Sequence, residues 1–153
     1  MDKLYSFLIE AKKQTYANEN IKKEASSRKG SNDYEYSKDN MTYHDTFFGG
    51  LNFIGEEVVY KDDIPVWGMN YYGTTLDEKF SEEAMDKALR PALMQVGNDD
   101  IIPVRGPKRF INGEYEYKFE VIGNLNNFNG KETVFKNNNK IFELICHGGK
   151  IVW

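Results

Sequence analysis

The chain has 153 residues, 40% of them hydrophobic and 14% aromatic, with a formal net charge of −4 and a pI near 5.3. That length fits one domain, residues 1–153, with room for a substantial core. The mildly acidic balance argues against direct nucleic-acid binding, which rests on a basic face that neutralises phosphates.

From the N-terminus, Met1 to Leu8 shows no basic segment leading into a long apolar run, and no later stretch approaches the length of a bilayer span. No membrane association and a cytoplasmic location are therefore expected. Between Asp2 and Tyr16, Leu4, Phe7, Leu8 and Ala11 recur at helical spacing, with Lys12 and Lys13 near the end where cations suit the helix dipole. An amphipathic helix packed on a sheet is the reading. Residues 17–31 are charged and small, and Ser26-Ser27-Arg28-Lys29-Gly30-Ser31 reads as a surface loop. Tyr34 and Tyr36 then alternate with Asp33 and Glu35, Lys38-Asp39-Asn40 turns, and Met41 to Phe48 returns as the second strand of a hairpin.

The stretch Phe47 to Gly73 reads as a further hairpin. An apolar run from Phe53 to Tyr60 meets the turn formers Lys61-Asp62-Asp63, and Pro65 opens a second run from Val66 to Tyr72. Shifted by seventy-five positions, Phe53, Gly55, Glu57, Val59, Lys61 and Gly73 meet Phe128, Gly130, Glu132, Val134, Lys136 and Gly148 without a gap. Two related hairpins follow, sharing a Phe-x-Gly-x-Glu-x-Val opening. Between the copies, Ser81 stands where a helix cap would, Glu82 and Glu83 suit a first turn, and Ala84, Ala88 and Leu89 form a buried stripe. Pro91 implies a kinked or two-part helix through Val96. Ile101 to Val104 reads as a short strand or extended segment, Arg105-Gly106-Pro107 as a tight turn, and Glu114 to Ile122 alternates into the second copy. The fold class is α+β: a curved antiparallel sheet or partial barrel of two related β-hairpin units, covered by an N-terminal helix and a central helix.

No phosphate loop or metal-ligand spacing is present. His44 and His147 lack His-x-x-x-His or cysteine company, so no metal is expected. Cys146 is the only cysteine, which excludes an internal disulfide, and it points away from the neighbouring His147 on a strand. Glu57 and Glu132 place a carboxylate in an otherwise apolar row. If that row is buried, each needs a partner such as Arg105 or a raised pKa, and at repeat-related positions the two could converge as an acid/base pair. A second constellation, Tyr43, Asp45, Trp67, Asn70, Tyr71 and Arg105, has the composition of a small-ligand pocket and equally that of an ordinary core with polar tips.

The runs Tyr43-His44-Asp45-Thr46-Phe47-Phe48-Gly49-Gly50, Pro65-Val66-Trp67-Gly68-Met69-Asn70-Tyr71-Tyr72-Gly73, Arg105-Gly106-Pro107 and His147-Gly148-Gly149 resemble a bacterial family known only as domain of unknown function 5680. The resemblance implies a domain that occurs alone or behind a Cro/repressor-type helix-turn-helix, here in its stand-alone form, and such a domain commonly senses a ligand or partner. It supplies no catalytic residues. The leading expectation is a small-molecule-binding or sensing domain whose candidate residues are Tyr43, Asp45, Glu57, Trp67, Asn70, Tyr71, Arg105, Glu132 and His147. The alternatives are a hydrolase using Glu57 or Glu132 and an interaction module using exposed aromatic edges and the terminal Trp153. Exposed strand edges favour a homodimer over a monomer.

Overall fold

In the computed structural model, which describes residues 2–15, 17 and 20–153, eight antiparallel strands form one open sheet in the order β1-β2-β3-β4-β8-β7-β6-β5. The strands are β1 (Asn32–Lys38), β2 (Met41–Gly49), β3 (Phe53–Lys61), β4 (Ile64–Thr75), β5 (Arg109–Asn112), β6 (Tyr115–Asn124), β7 (Asn127–Lys136) and β8 (Asn139–Lys150). The sheet does not close into a barrel, since β1 and β5 end it on opposite sides. Each half is a four-stranded meander, and the halves join along β4 and β8.

The repeat read from the sequence is reproduced in backbone geometry. The β3–β4 turn puts Asp62 and Asp63 at φ 51° and 63°, and the β7–β8 turn puts Asn137 and Asn138 at 48° and 66°. These left-handed pairs are the turn whose twist matches two-residue hairpins, and Asp and Asn tolerate it better than other side chains. The ladder register shifts after Val59 in one hairpin and after its counterpart Val134 in the other. Gly49, the last residue of β2, and Gly123, the last but one of β6, have φ of +102° and +100°; a Cβ on either would lie 2.1 Å from the carbonyl oxygen of Asn52 or Asn127. The two halves therefore share their turns, their bulges and their required glycines.

Helix α1 (Asp2–Gln14) buries Phe7, Leu8 and Ala11; the position of Tyr16, the last residue of the expected helix, lies outside the described residues. The central helix comprises α2 (Glu82–Ala84), a π-helical turn Met85–Leu89 and α3 (Arg90–Leu93), buried through Ala84, Ala88, Leu89, Ala92 and Leu93. Ser81 takes an extended backbone at its start without a side-chain cap. Pro91 carries no N–H and crowds the preceding turn, and the wider π-helical turn before it relieves that conflict. The Lys87 carbonyl, which Pro91 cannot satisfy, accepts a 2.9 Å hydrogen bond from Asn112 Nδ2 of β5. Residues 101–104 form bends and turns rather than a strand. Among the described residues no helix is long and apolar enough to cross a membrane.

Candidate functional site

Side chains on a strand alternate between faces, so odd-numbered positions of β2, β3 and β4 go together. Tyr43, Asp45, Glu57, Val59, Trp67, Met69 and Tyr71 all turn to the face covered by the helices and are buried there. Asp45 stands directly opposite Glu57 in the β2–β3 register. Two carboxylates buried side by side need compensation. Glu57 finds it in an ion pair with Lys12 of α1, both side chains being fully buried. Burial pushes the Lys12 ammonium below its ordinary value, against the pull of Glu57. Asp45 has a different partner: Tyr71 Oη donates to its Oδ1 at 2.6 Å. Burial, followed by the charge of Glu57, raises the Asp45 carboxyl to about 8, outweighing Tyr71, Lys12 and Arg105. The Tyr71 phenol is itself driven well above its usual value, first by burial and then by Asp45.

In the second half Glu132 takes the position of Glu57, and its cation is Arg105, from the segment between the central helix and β5. The guanidinium forks it, with Nε to Oε2 at 2.9 Å and Nη2 to Oε1 at 2.7 Å. Tyr117 Oη donates to Glu132 Oε2 at 2.5 Å and accepts from the Gly106 amide at 3.0 Å. Arg105 also lies 5.7 Å from the centre of the Tyr71 ring, so one buried side chain reaches the Glu132 carboxylate of one half and an aromatic ring of the other.

A cavity of about 410 Å³ opens between the first half-sheet and the central helix. Asp45, Tyr71 and Arg105, at most 5% exposed, line its floor. Tyr34, Phe47 and Phe53 supply aromatic wall, and Met85, Leu89 and Leu93 supply the helix side. The Tyr34 and Phe47 rings stack at 6.1 Å, and Phe53 meets Tyr71 edge-on at 6.0 Å. Lys23, Glu82 and Arg90 stand at the more exposed mouth.

The structure thus brings Asp45, Tyr71 and Arg105 together at one cavity, with Glu57 and Glu132 immediately behind them as ion-pair partners. Tyr43 lies 5.6 Å beneath Lys12, and Trp67 is fully buried, donating to the Leu125 carbonyl at 3.0 Å and stacking on Phe128. Neither lines the cavity. Asn70 and His147 are register partners on the opposite, exposed face. Alternation requires this, since each follows an inward residue, Met69 or Cys146. There they border a shallower hollow of about 530 Å³ with Arg28, Ile54 and Tyr72. Glu57 and Glu132 do not meet: β4 and β8 separate their strands, a lateral distance of roughly 14 Å, and each is bound to its own cation.

The candidate residues read from the sequence did not include Lys12 or, among the cavity lining, Tyr34, Phe47, Phe53 and Arg90. Lys12 follows Leu8 by four residues and so shares its buried stripe, a signal that its place near the helix end obscured. Arg90 precedes Pro91 in a helix whose path the sequence left open. Elsewhere, buried Asp33 gathers Ser27 Oγ at 2.6 Å, Ser31 Oγ at 2.5 Å, Thr46 Oγ1 at 2.7 Å and His44 Nε2 at 2.6 Å, pinning the loop before β1. Burial works to raise the Asp33 carboxyl, and these bonds together outweigh it and hold it far below its usual range. Burial pushes the Cys146 thiol up to about 12, which suits an inert core residue. Among the described residues no group of three or more histidine, cysteine, aspartate or glutamate side chains could hold a metal.

No curated protein and no solved structure matches the chain. The family model that does match spans residues 45–151, from the middle of β2 to the end of β8; it takes in Asp45, Glu57, Tyr71, Arg105 and Glu132 and leaves out Lys12. The chain belongs to the family described as domain of unknown function (DUF5680).

Proposed function

We propose that this protein binds a small molecule in the cavity between the first half-sheet and the central helix, as a sensing or carrier domain. One observation carries the reading: Asp45 and Tyr71 form a buried polar floor to open space, where the related half packs Phe119 and Cys146 solidly at the matching positions. A buried carboxyl without a cation of its own is costly to stability and is kept where it serves another purpose. Aromatic walls around a few convergent polar groups are the composition of ligand sites. A sensing role also agrees with the expectation that this domain elsewhere follows a DNA-reading helix-turn-helix in bacterial regulators, and with a cytoplasmic setting.

Native mass spectrometry of the purified chain, set beside the denatured mass and a thermal-shift screen of small metabolites, tests this. The expected result is a retained mass that vanishes on denaturation, or a stabilising compound whose effect is lost when Leu93→Trp fills the cavity. A clean mass together with no shift that depends on Leu93 overturns the proposal.

The outer face supports a second reading, self-association. Ile54, Tyr72 and Ile145, between 49% and 57% exposed, are register neighbours across β3, β4 and β8, and among the described residues no helix covers them. Sedimentation of the wild type against Ile145→Lys checks it. A homodimer that the lysine dissociates supports the face as an interface, and a monomer in both removes it.

A further inference from the structure

The buried charges around the cavity do not balance. Among the described residues, the helix-covered face holds three carboxylates, Asp45, Glu57 and Glu132, each at most 1% exposed, and two cations, Lys12 and Arg105. Lys12 is joined to Glu57, and Arg105 gives its fork to Glu132. Asp45 is left with a phenol, and it is the one of the three carboxylates that lines the cavity. A buried carboxylate in that position either takes a proton or takes a positive charge from elsewhere. The walls suit the second course, because Tyr34, Phe47, Phe53 and Tyr71 present rings whose faces attract cations.

We propose that the cavity seats a protonated amine on Asp45, the ammonium supplying the missing positive charge and the apolar remainder lying between the aromatic wall and Leu89 and Leu93. This rests on the cavity being a ligand site. An anionic ligand fits less well, since it would have to draw on the Arg105 fork that already holds Glu132.

Proton bookkeeping follows. With the cavity empty Asp45 is protonated up to about pH 8. The groups facing it are Glu57 from β3, Tyr71 from β4, Lys12 from α1 and Arg105 from the loop before β5, with Lys23, Glu82 and Arg90 at the mouth, and it is Asp45 that gives up a proton when an ammonium is seated. Its O–H proton goes to solvent, and the ammonium N–H donates to the carboxylate in its place. Affinity therefore rises with pH below about 8, by about tenfold per unit.

Calorimetry of the full chain with benzylamine, phenethylamine and butylamine, against benzyl alcohol and benzoate as controls, tests the proposal. The expected result is binding of at least one amine in preference to both controls. Heats in two buffers of different ionisation enthalpy then report about one proton released per amine bound near pH 7. Asp45→Asn keeps the fold and abolishes amine binding. Should that variant be unfolded, the proton release of the wild type decides alone. Benzoate or benzyl alcohol bound as tightly as the amines, and lost in Leu93→Trp, would leave the cavity a ligand site and overturn the amine seat. If no probe binds and native mass spectrometry shows no retained molecule, both readings fall; if no amine binds while a retained molecule lacks an amine, only the amine seat falls.

Discussion

Asp45 lies across from Glu57, and Phe119 lies across from Glu132; Tyr71 lies across from Gly55, and Cys146 from Gly130. The paired halves share turns, bulges and glycines, yet at these matched positions the first is polar and open and the second apolar and filled. Their conserved geometry also hides a change of partner. Glu57 takes its cation from a helix at the N-terminus, and Glu132 takes its cation from the segment after the central helix. A shared backbone thus fixes where a carboxylate is buried, while unrelated elements decide what neutralises it and whether space remains beside it. Arg105 links the two arrangements, bonded to Glu132 and lying against the Tyr71 ring.

The sharpest way to break this pattern is to remove the cation that serves the filled half. Arg105→Ala leaves Glu132 buried with Tyr117 and should cost about 3–5 kcal/mol in urea unfolding; Lys12→Ala should fall in the same range, and a loss under ~1 kcal/mol for both would show that the ion pairs are not the compensation assigned here. Next comes the open half. Because the Asp45 carboxyl is raised from 3.8 to about 8 in the folded chain, the native state binds the extra proton and stability falls as pH rises between those values. Asp45→Asn should remove a slope of roughly 1.4 kcal/mol per pH unit, leaving the variant the more stable protein near neutrality; parallel pH profiles of the two would disprove it. Filling the second half further is a smaller test. A Cβ on Gly130 meets Phe119 at 2.6 Å and Cys146 Sγ at 3.2 Å, so Gly130→Ala should destabilise by about 1–3 kcal/mol as an overpacked core, measured by thermal unfolding. Least of all, Asn112→Ala should cost about 1 kcal/mol or less by exposing the Lys87 carbonyl to water, and an effect above that would give β5 a larger part in holding the central helix.

Much of this architecture was legible because strand residues alternate and turns have their own chemistry. Asp62-Asp63 and the offset that carries Glu57 onto Glu132 announce the hairpins and their kinship before any coordinates. The same alternation separates Asn70 and His147 from Trp67 and Tyr71, and grouping them by composition overlooked it. Lys12 was harder, since a lysine in the last turns of a helix has a sufficient explanation in the dipole, and its spacing of four from Leu8 marks it as buried without naming Glu57 as its partner. Pro91 announced an irregular central helix but not its π-helical form, and the short β5 strand, whose Asn112 reaches the Lys87 carbonyl, carries no local pattern of its own.

The seam between β4 and β8 has a consequence for fragments of the chain. Its register pairs Met69 with Gly148 and Gly73 with Leu144, and exchanging each residue for its counterpart in the other half returns the same pairs. Cut after Thr75, the first meander would carry β4 as a bare edge with no β8 to meet it. A second copy of that fragment would offer a ladder in the same register, so the severed half is expected to pair with itself, whereas in the intact chain β8 meets that edge.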